Sequence, residues 1–536
     1  MIVLKNHSMK RVLRFGGAVA FLGFASTASA IDGPQIIKEN CLLCHSETGK
    51  AEAPFTRISE QRKTPEGWQT TINRMKSQRG LKIKPEHERV LIKYLADNQG
   101  LAPAETAGLR YVLEREPNVI EQDVPEHVAG TCTGCHSSAR SGLQRRTQDE
   151  WEKLIHFHMG QIPSIEFLAG HRDRPWFQIA TSETSVKLGE GYPLVTKAWD
   201  DWKATPKASL KGDWVMSGHM PDKGDFTATV SVMNSQQKDD YVLLINGHYA
   251  DGSKLSGSGS AKVFTGYEWR GAVVINGRKM RQVFAASADG TELSGRMFLK
   301  NDDVMGGKVT AMKAGKAETV VSVSPAYIKQ GSSQTLVIGG ANLSKKVSLG
   351  SGITVEKVIS QSADRLVVQV KAAKDAAVGL RSLKVGSDSL ENSVAVYDSV
   401  ARVEVTPSES IARIGGNGGL IPKQKSIYRA VGYAAGADGK AGTEDDIRLG
   451  YMPANWSLKP FDAVAEEEHD LKYAGAIDAK GIFTPGDAGL NPERKMSTNN
   501  VGNLAVVGTV KEGDAAVAGE AHLLVTVQDF VKELIQ

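Results

Sequence analysis

Two five-residue stretches, Cys41-Leu42-Leu43-Cys44-His45 and Cys132-Thr133-Gly134-Cys135-His136, constrain this 536-residue chain more than any other feature. Two thiols three residues apart on a helical turn can add to the two vinyl groups of one haem. The adjoining histidine then offers its imidazole to the iron from the proximal side. The chain has four cysteines and all lie in these motifs, so none remains for a disulfide. A zinc ribbon would bring its two cysteine pairs within about 15 to 20 residues of each other, whereas Cys44 and Cys132 are 88 positions apart. Paired disulfides leave both histidines unexplained, and a thioredoxin-like site wants one motif in an α/β unit rather than two in helical sequence. The expectation is two covalently bound haem c groups, attached through Cys41 and Cys44 and through Cys132 and Cys135, with His45 and His136 on the irons.

The N-terminus fixes the compartment. Lys5, Lys10, Arg11 and Arg14 precede an apolar run from Phe15 to about Ala25, and Ala28-Ser29-Ala30 offers a small-residue cleavage site. Residues 1–30 therefore read as a cleaved signal peptide, with an apolar core too short for a bilayer span of about 20 residues. A soluble, periplasmic protein is expected, with no membrane attachment. The formal net charge is +4, and the first thirty residues hold four Lys or Arg and no acid, so cleavage leaves a neutral chain. Scattered charge without a basic stripe gives no footprint for nucleic acid.

Distal ligands emerge from an internal comparison. Trp68-Gln69-Thr70-Thr71-Ile72-Asn73-Arg74-Met75 follows the first motif, and Trp151-Glu152-Lys153-Leu154-Ile155-His156-Phe157-His158 follows the second. Aligning the tryptophans sets Met75 opposite His158, in each case two helical turns beyond the tryptophan and on its face. Met75, the only methionine between the two motifs, is the expected sixth ligand of the first haem iron, and His158 that of the second, with His156, Met159, His127 and His171 as rivals. A thioether ligand raises the haem potential relative to imidazole, so electrons should run from the second haem to the first.

Beyond about residue 205 helical periodicity fades and glycine, 55 residues in all, punctuates short alternating runs. The expected architecture is an all-α diheme cytochrome c domain of two class I-like modules over 31–208, followed by three all-β domains. In the front domain, Pro85 to Asn98 suits a closing helix and Val186 to Lys203 a second helix. An antiparallel barrel is expected over 209–315, with strands at Phe226 to Val232, Tyr241 to Ile245, Ala272 to Ile275 and Leu293 to Leu299. Its hairpin signals are Asp251-Gly252, Asn276-Gly277 and Asp289-Gly290. An immunoglobulin-like sandwich over 316–400 and a C-terminal β domain over 401–536 complete the chain. Within the last, Asp438 to Asp446 gathers carboxylates around glycines. Its spacing misses the EF-hand pattern, so a solvated turn is expected rather than a calcium loop.

This combination of two haem motifs, matched Met75 and His158, and three successive β domains resembles the alpha subunit of quinohemoprotein amine dehydrogenase. The resemblance implies a periplasmic heterotrimer that oxidatively deaminates primary amines. It further implies a propeller-forming beta subunit, a gamma subunit carrying cysteine tryptophylquinone, and a soluble electron acceptor such as a blue-copper protein or a cytochrome c. The chain's cysteines are all committed to haem, so that quinone must reside on another subunit. No Ser/His/Asp or Cys/His constellation with convincing spacing is present, so no catalytic residue is assigned and the chain itself is an electron carrier. The competing readings are a non-catalytic multidomain cytochrome and a diheme peroxidase, the latter requiring an open sixth position on one iron.

Overall fold

The computed structural model describes residues 32–168, 172–416, 422–495 and 499–527. The expected signal peptide and His171 lie outside them. Among the described residues no helix is long and apolar enough to cross a membrane.

The front of the chain is built from α1 (Gly33–Asn40), β1 (Gln61–Lys63), α2 (Pro65–Arg79), α3 (Pro85–Asn98), β2 (Gln144–Arg146), α4 (Gln148–Gln161), α5 (Ser185–Gly191) and α6 (Lys197–Ala204). Local chemistry sets the helix starts. The Thr64 and Thr147 hydroxyls accept the Gly67 and Glu150 amides at the heads of α2 and α4, and Asp32 caps α1 in the same way; each relieves an orphan N–H. Gly80 closes α2 at φ 71°, a left-handed conformation that glycine adopts without a Cβ penalty.

The expectation of an all-α front domain is overturned. The molecule as a whole is mostly β, and within 31–199 only α2, α3 and α4 exceed eight residues. The remainder is an antiparallel β1–β2 ribbon, one-turn helices, a π turn at Ala180–Thr184 and long irregular connections. Stretches such as Pro117 to Pro125 carry proline and turn-forming residues that cannot sustain a helix. The single helix expected over Val186 to Lys203 is split into α5 and α6, because Gly191 ends α5 and Pro193, just beyond it, bridges instead to Arg146.

Eight strands close an antiparallel barrel: β3 (Gly212–Met220), β4 (Gly224–Asn234), β5 (Asp240–Tyr249), β6 (Lys254–Phe264), β7 (Glu268–Ile275), β8 (Arg278–Ala286), β9 (Glu292–Leu299) and β10 (Asp302–Lys313), with β10 returning to β3. Alternation decides the inside: Tyr241, Leu243 and Ile245 of β5 are buried while Val242 and Leu244 are exposed. The interior is filled by side chains, Trp214, Trp269, Phe226 and Tyr267 among them, as an eight-stranded barrel permits. Asn276 and Gly277 both have positive φ, the backbone their hairpin requires.

The barrel grips the front region directly. The Trp202 indole donates to the Thr265 carbonyl at 2.8 Å and the Tyr267 hydroxyl to the Leu101 carbonyl at 3.1 Å. Buried Glu268 takes Arg110 and Arg270, and Arg270 reaches on to Glu66 of α2.

Residues 319–397 form two four-stranded sheets face to face, with Leu336, Ile338, Leu366, Val368, Leu383 and Val396 wholly buried between them. The C-terminal unit combines one four-stranded and two three-stranded sheets. It also contains two short helices, Ala463–Glu467 and Asp470–Tyr473. In the Asp438 to Asp446 turn the carboxylates accept from their own loop, as Asp445 does from the Asp438 amide and Asp446 from the Gly442 amide. Among the described residues no group of three or more His, Cys, Asp or Glu is placed to hold a metal ion.

Candidate haem sites

The two halves of the front region are related by a local two-fold that the sequence carries as an offset of 83 positions. That offset superposes Trp68 on Trp151, Thr64 on Thr147, Gln61 on Gln144, Arg62 on Arg145 and Gln78 on Gln161. In the β1–β2 ribbon Arg62 is the Cα partner of Arg145, its own equivalent. At the far ends of α2 and α4 the Gln78 amide donates to the Gln161 amide oxygen at 2.7 Å. Between these, the Arg74 guanidinium lies 5.0 Å from the centre of the Phe157 ring, again a pair of equivalents. Self-pairing of this kind is what an isologous contact demands.

Arg62 and Arg145 converge on Glu105. Arg62 forms a two-pronged pair with it, at 2.9 Å to each oxygen, and Arg145 Nε approaches at 3.1 Å. Thr196 and the Ala102 amide donate to the same carboxylate. Burial pushes the Glu105 pKa up, but the Arg62 hydrogen bonds and charge, with help from Ala102 and Arg145, overcome this and hold it below the usual carboxylate range. This triad is absent from the sequence reading. The signal that finds it is the 83-residue offset followed back from the tryptophans to the arginines.

Against this frame, the attachment motifs repeat one another. In each, the first cysteine is half-buried, the second exposed and the histidine half-buried. Burial raises the Cys41 thiol and pushes Cys132 up to about 11. The His45 Nδ1 donates to the Thr56 carbonyl at 2.9 Å and the His136 Nδ1 to the Ser137 carbonyl at 2.9 Å. A proton on Nδ1 leaves the Nε2 lone pair free for a metal.

His158 is brought opposite His136. Its ring centre is 6.5 Å from that of His136, with the planes tilted by 40°. Two imidazoles bound through Nε2 on opposite sides of one metal, at about 2 Å per bond, have centres a little over roughly 6 Å apart. The His158 Nδ1 donates to the Leu154 carbonyl at 2.8 Å, the same tautomer-fixing contact. Burial holds His136 and His158 below the usual histidine range, favouring the neutral ring that a metal requires.

The rivals are placed elsewhere. His156 stands edge-on to Phe177 at 5.1 Å and 3.9 Å from Glu152, largely in solvent. Met159 packs with Ile155, Ile165 and Trp176. His127 sits on the one-turn helix Glu126–Ala129. Met75 occupies the last turns of α2, half-buried, and takes no part in the cluster that Trp68 and Ile72 form with Ile36, Leu91 and Leu95. The second motif therefore presents a donor set that suits haem, a thiol pair with two half-buried imidazoles facing each other; at the first, the thiol pair and His45 are in place and Met75 lies on α2 two turns beyond Trp68.

Four family models match along the chain, all describing the alpha subunit of quinohemoprotein amine dehydrogenase. They are its haem-binding region at 31–199, domain II at 207–314, domain III at 317–398 and domain IV at 403–535. No curated protein matches. Among solved structures, a redesigned β-barrel, mFAP1, is 13% identical over 20% of this chain and 94% of its own, with a TM-score of 0.18. A mouse clustered protocadherin fragment, PcdhgC3 EC1-3, is 12% identical over 46% and 86%, with a TM-score of 0.17.

Proposed function

Since the chain belongs to the family of quinohemoprotein amine dehydrogenase alpha subunits and has a haem-binding region, we propose that it is the electron-carrying subunit of a periplasmic amine dehydrogenase. The observation that carries this reading is the His136–His158 pair, 6.5 Å apart with both Nδ1 atoms tied to backbone carbonyls. A haem attached at each motif supplies a one-electron couple. His45 with Met75 serves the first iron and His136 with His158 the second. The thioether gives the first site the higher potential, so electrons arrive at Cys132 to His136 and leave at Cys41 to His45.

The residues around the sites hold this arrangement rigid. Thr147, Trp151 and the Leu154 carbonyl fix the α4 turn that carries His158. Thr64 and Trp68, whose indole donates to the Gln99 carbonyl, do the same for Met75. A rigid ligand cage limits the rearrangement that accompanies a change of iron charge.

Amine oxidation belongs to partner subunits in this proposal. A cysteine tryptophylquinone on a small gamma subunit, once reduced by the two electrons of the amine, would give them up singly to the second site, a propeller-forming beta subunit completes the heterotrimer, and a blue-copper protein or cytochrome c takes the electrons. The experiment is purification of the native complex with a carbonyl reagent that labels quinones. A labelled small subunit and amine-dependent reduction of two haems are expected; no labelled subunit would sink the amine dehydrogenase assignment.

A further inference from the structure

The first motif keeps its histidine in place with its own loop. Trp68 lies 23 positions after His45, and the chain between them folds back so that Ser46 and Thr56 bond to each other. The Thr56 amide donates to the Ser46 carbonyl at 2.9 Å and the Ser46 amide to the Thr56 hydroxyl at 2.9 Å. The Thr56 carbonyl, fixed in this way, accepts from His45 Nδ1. Trp151 lies only 15 positions after His136, so the second motif is eight residues short of such a loop. Its histidine bonds instead to the carbonyl of the next residue, Ser137. A carbonyl on a connecting turn keeps one direction only where the turn itself is pinned.

Glu121 pins it. This half-buried carboxylate comes from the stretch between the two modules. It accepts from the Ser138 amide at 2.8 Å, the Ser138 hydroxyl at 3.0 Å and the Ala139 amide at 3.2 Å. Tyr111, on the one-turn helix Arg110–Leu113, donates its hydroxyl to the same carboxylate. Hydrogen bonds to a charged acceptor are roughly twice as strong as neutral ones, so three donors from one turn hold that turn firmly. Asn118, three positions before Glu121, is bonded to Ile411 and Ser426, which ties the segment carrying the carboxylate to the C-terminal unit.

We propose that Glu121 is the positioning residue of the second haem site. Its carboxylate fixes the turn at Ser138 and Ala139, the turn aims the Ser137 carbonyl at His136 Nδ1, and that contact sets how strongly the imidazole donates to the iron. A firm bond from Nδ1–H to a carbonyl makes the ring a more basic ligand, which favours the oxidised iron and keeps the second haem the lower in potential. The first module sets its histidine from within, whereas the second has it set by a residue from outside the motif and its loop.

This rests on reading His136 and His158 as axial ligands, and a wild-type protein without a low-spin bis-histidine signal would refute that reading before any variant is made. The test uses the full haem-loaded chain and two readouts. One is the midpoint potential of each haem; the other, by NMR of the reduced, diamagnetic protein with labelled histidine, is the rate at which each ligand's Nδ1 proton exchanges with solvent. Glu121→Gln removes the charge and one acceptor oxygen. It should raise the potential of the bis-histidine haem, leave that of the His/Met haem in place, and quicken exchange at His136 but not at His45. Tyr111→Phe keeps the charge and loosens the carboxylate. It should move both readouts the same way by less, and it decides the matter if Glu121→Gln fails to retain its second haem. A bis-histidine potential that shifts with no change in His136 exchange would mean that the carboxylate acts by its charge alone, and would overturn the positioning role. An unchanged bis-histidine potential, or equal shifts in both haems, would overturn it as well.

Discussion

Arg62 and Arg145 face each other as Cα partners in the ribbon that joins the two halves of the haem region, and both guanidinium groups close on one buried carboxylate, Glu105. Equivalent residues thereby share a single counter-ion on the local two-fold. Glu105→Gln leaves two buried cations without a full charge partner, a change that costs about 3 to 5 kcal/mol. Calorimetry should show the transition of the haem region moving to lower temperature, and an unchanged transition would mean that the triad adds nothing to stability.

Acid should unlock the same joints. Glu105 and Glu268 are both held below the usual carboxylate range despite burial, which alone would raise them: Glu105 by Arg62 first, Glu268 by Arg270 and Arg110. A carboxyl whose folded pKa is depressed stabilises fully above its unfolded pKa of about 4.3. That stability is lost as pH falls through the lower folded value. The wild-type unfolding midpoint should be flat near neutrality and fall below about pH 4; in Glu105→Gln the acid slope should be shallower.

Replacing His158 by Ala should abolish the bis-histidine low-spin signal in electron paramagnetic resonance, leaving the first haem untouched. Replacing His156, which faces Phe177 and solvent, should leave both signals in place. A signal that survives loss of His158 would remove it as the ligand.

Trp269 is 2% exposed inside the barrel and stacked on Tyr241 at 5.8 Å. Trp269→Ala should destabilise by about 3 to 5 kcal/mol, read as a lowered barrel transition with the haem spectra intact. Haem spectra that collapse together with the barrel would show that the two regions unfold as one.

Local patterns were readable. Strict alternation marks β5, the Asn276-Gly277 pair marks the β7–β8 hairpin, and Pro85 marks the start of α3, because each depends on neighbours in sequence. The triad of Arg62, Arg145 and Glu105 was not readable, since three charged residues far apart resemble any solvated set until the fold buries them. The all-α expectation failed for a related reason: periodicity finds α2, α3 and α4, while the extended β1 and β2 owe their shape to arginines reaching inward. For the site, spacing favours His158 over its neighbours, but its approach to His136, 6.5 Å between ring centres, shows only when the fold brings the helix and the second motif together.

One contact reaches from the middle of the haem region to the far end of the chain. Asn118, on the stretch between the two modules, accepts the Ile411 amide at 2.9 Å and donates to the Ser426 hydroxyl at 3.3 Å. Residues 411 and 426 lie some three hundred positions beyond Asn118, so the stretch between the two motifs is fastened by partners that reach it only once the last domain has folded against it.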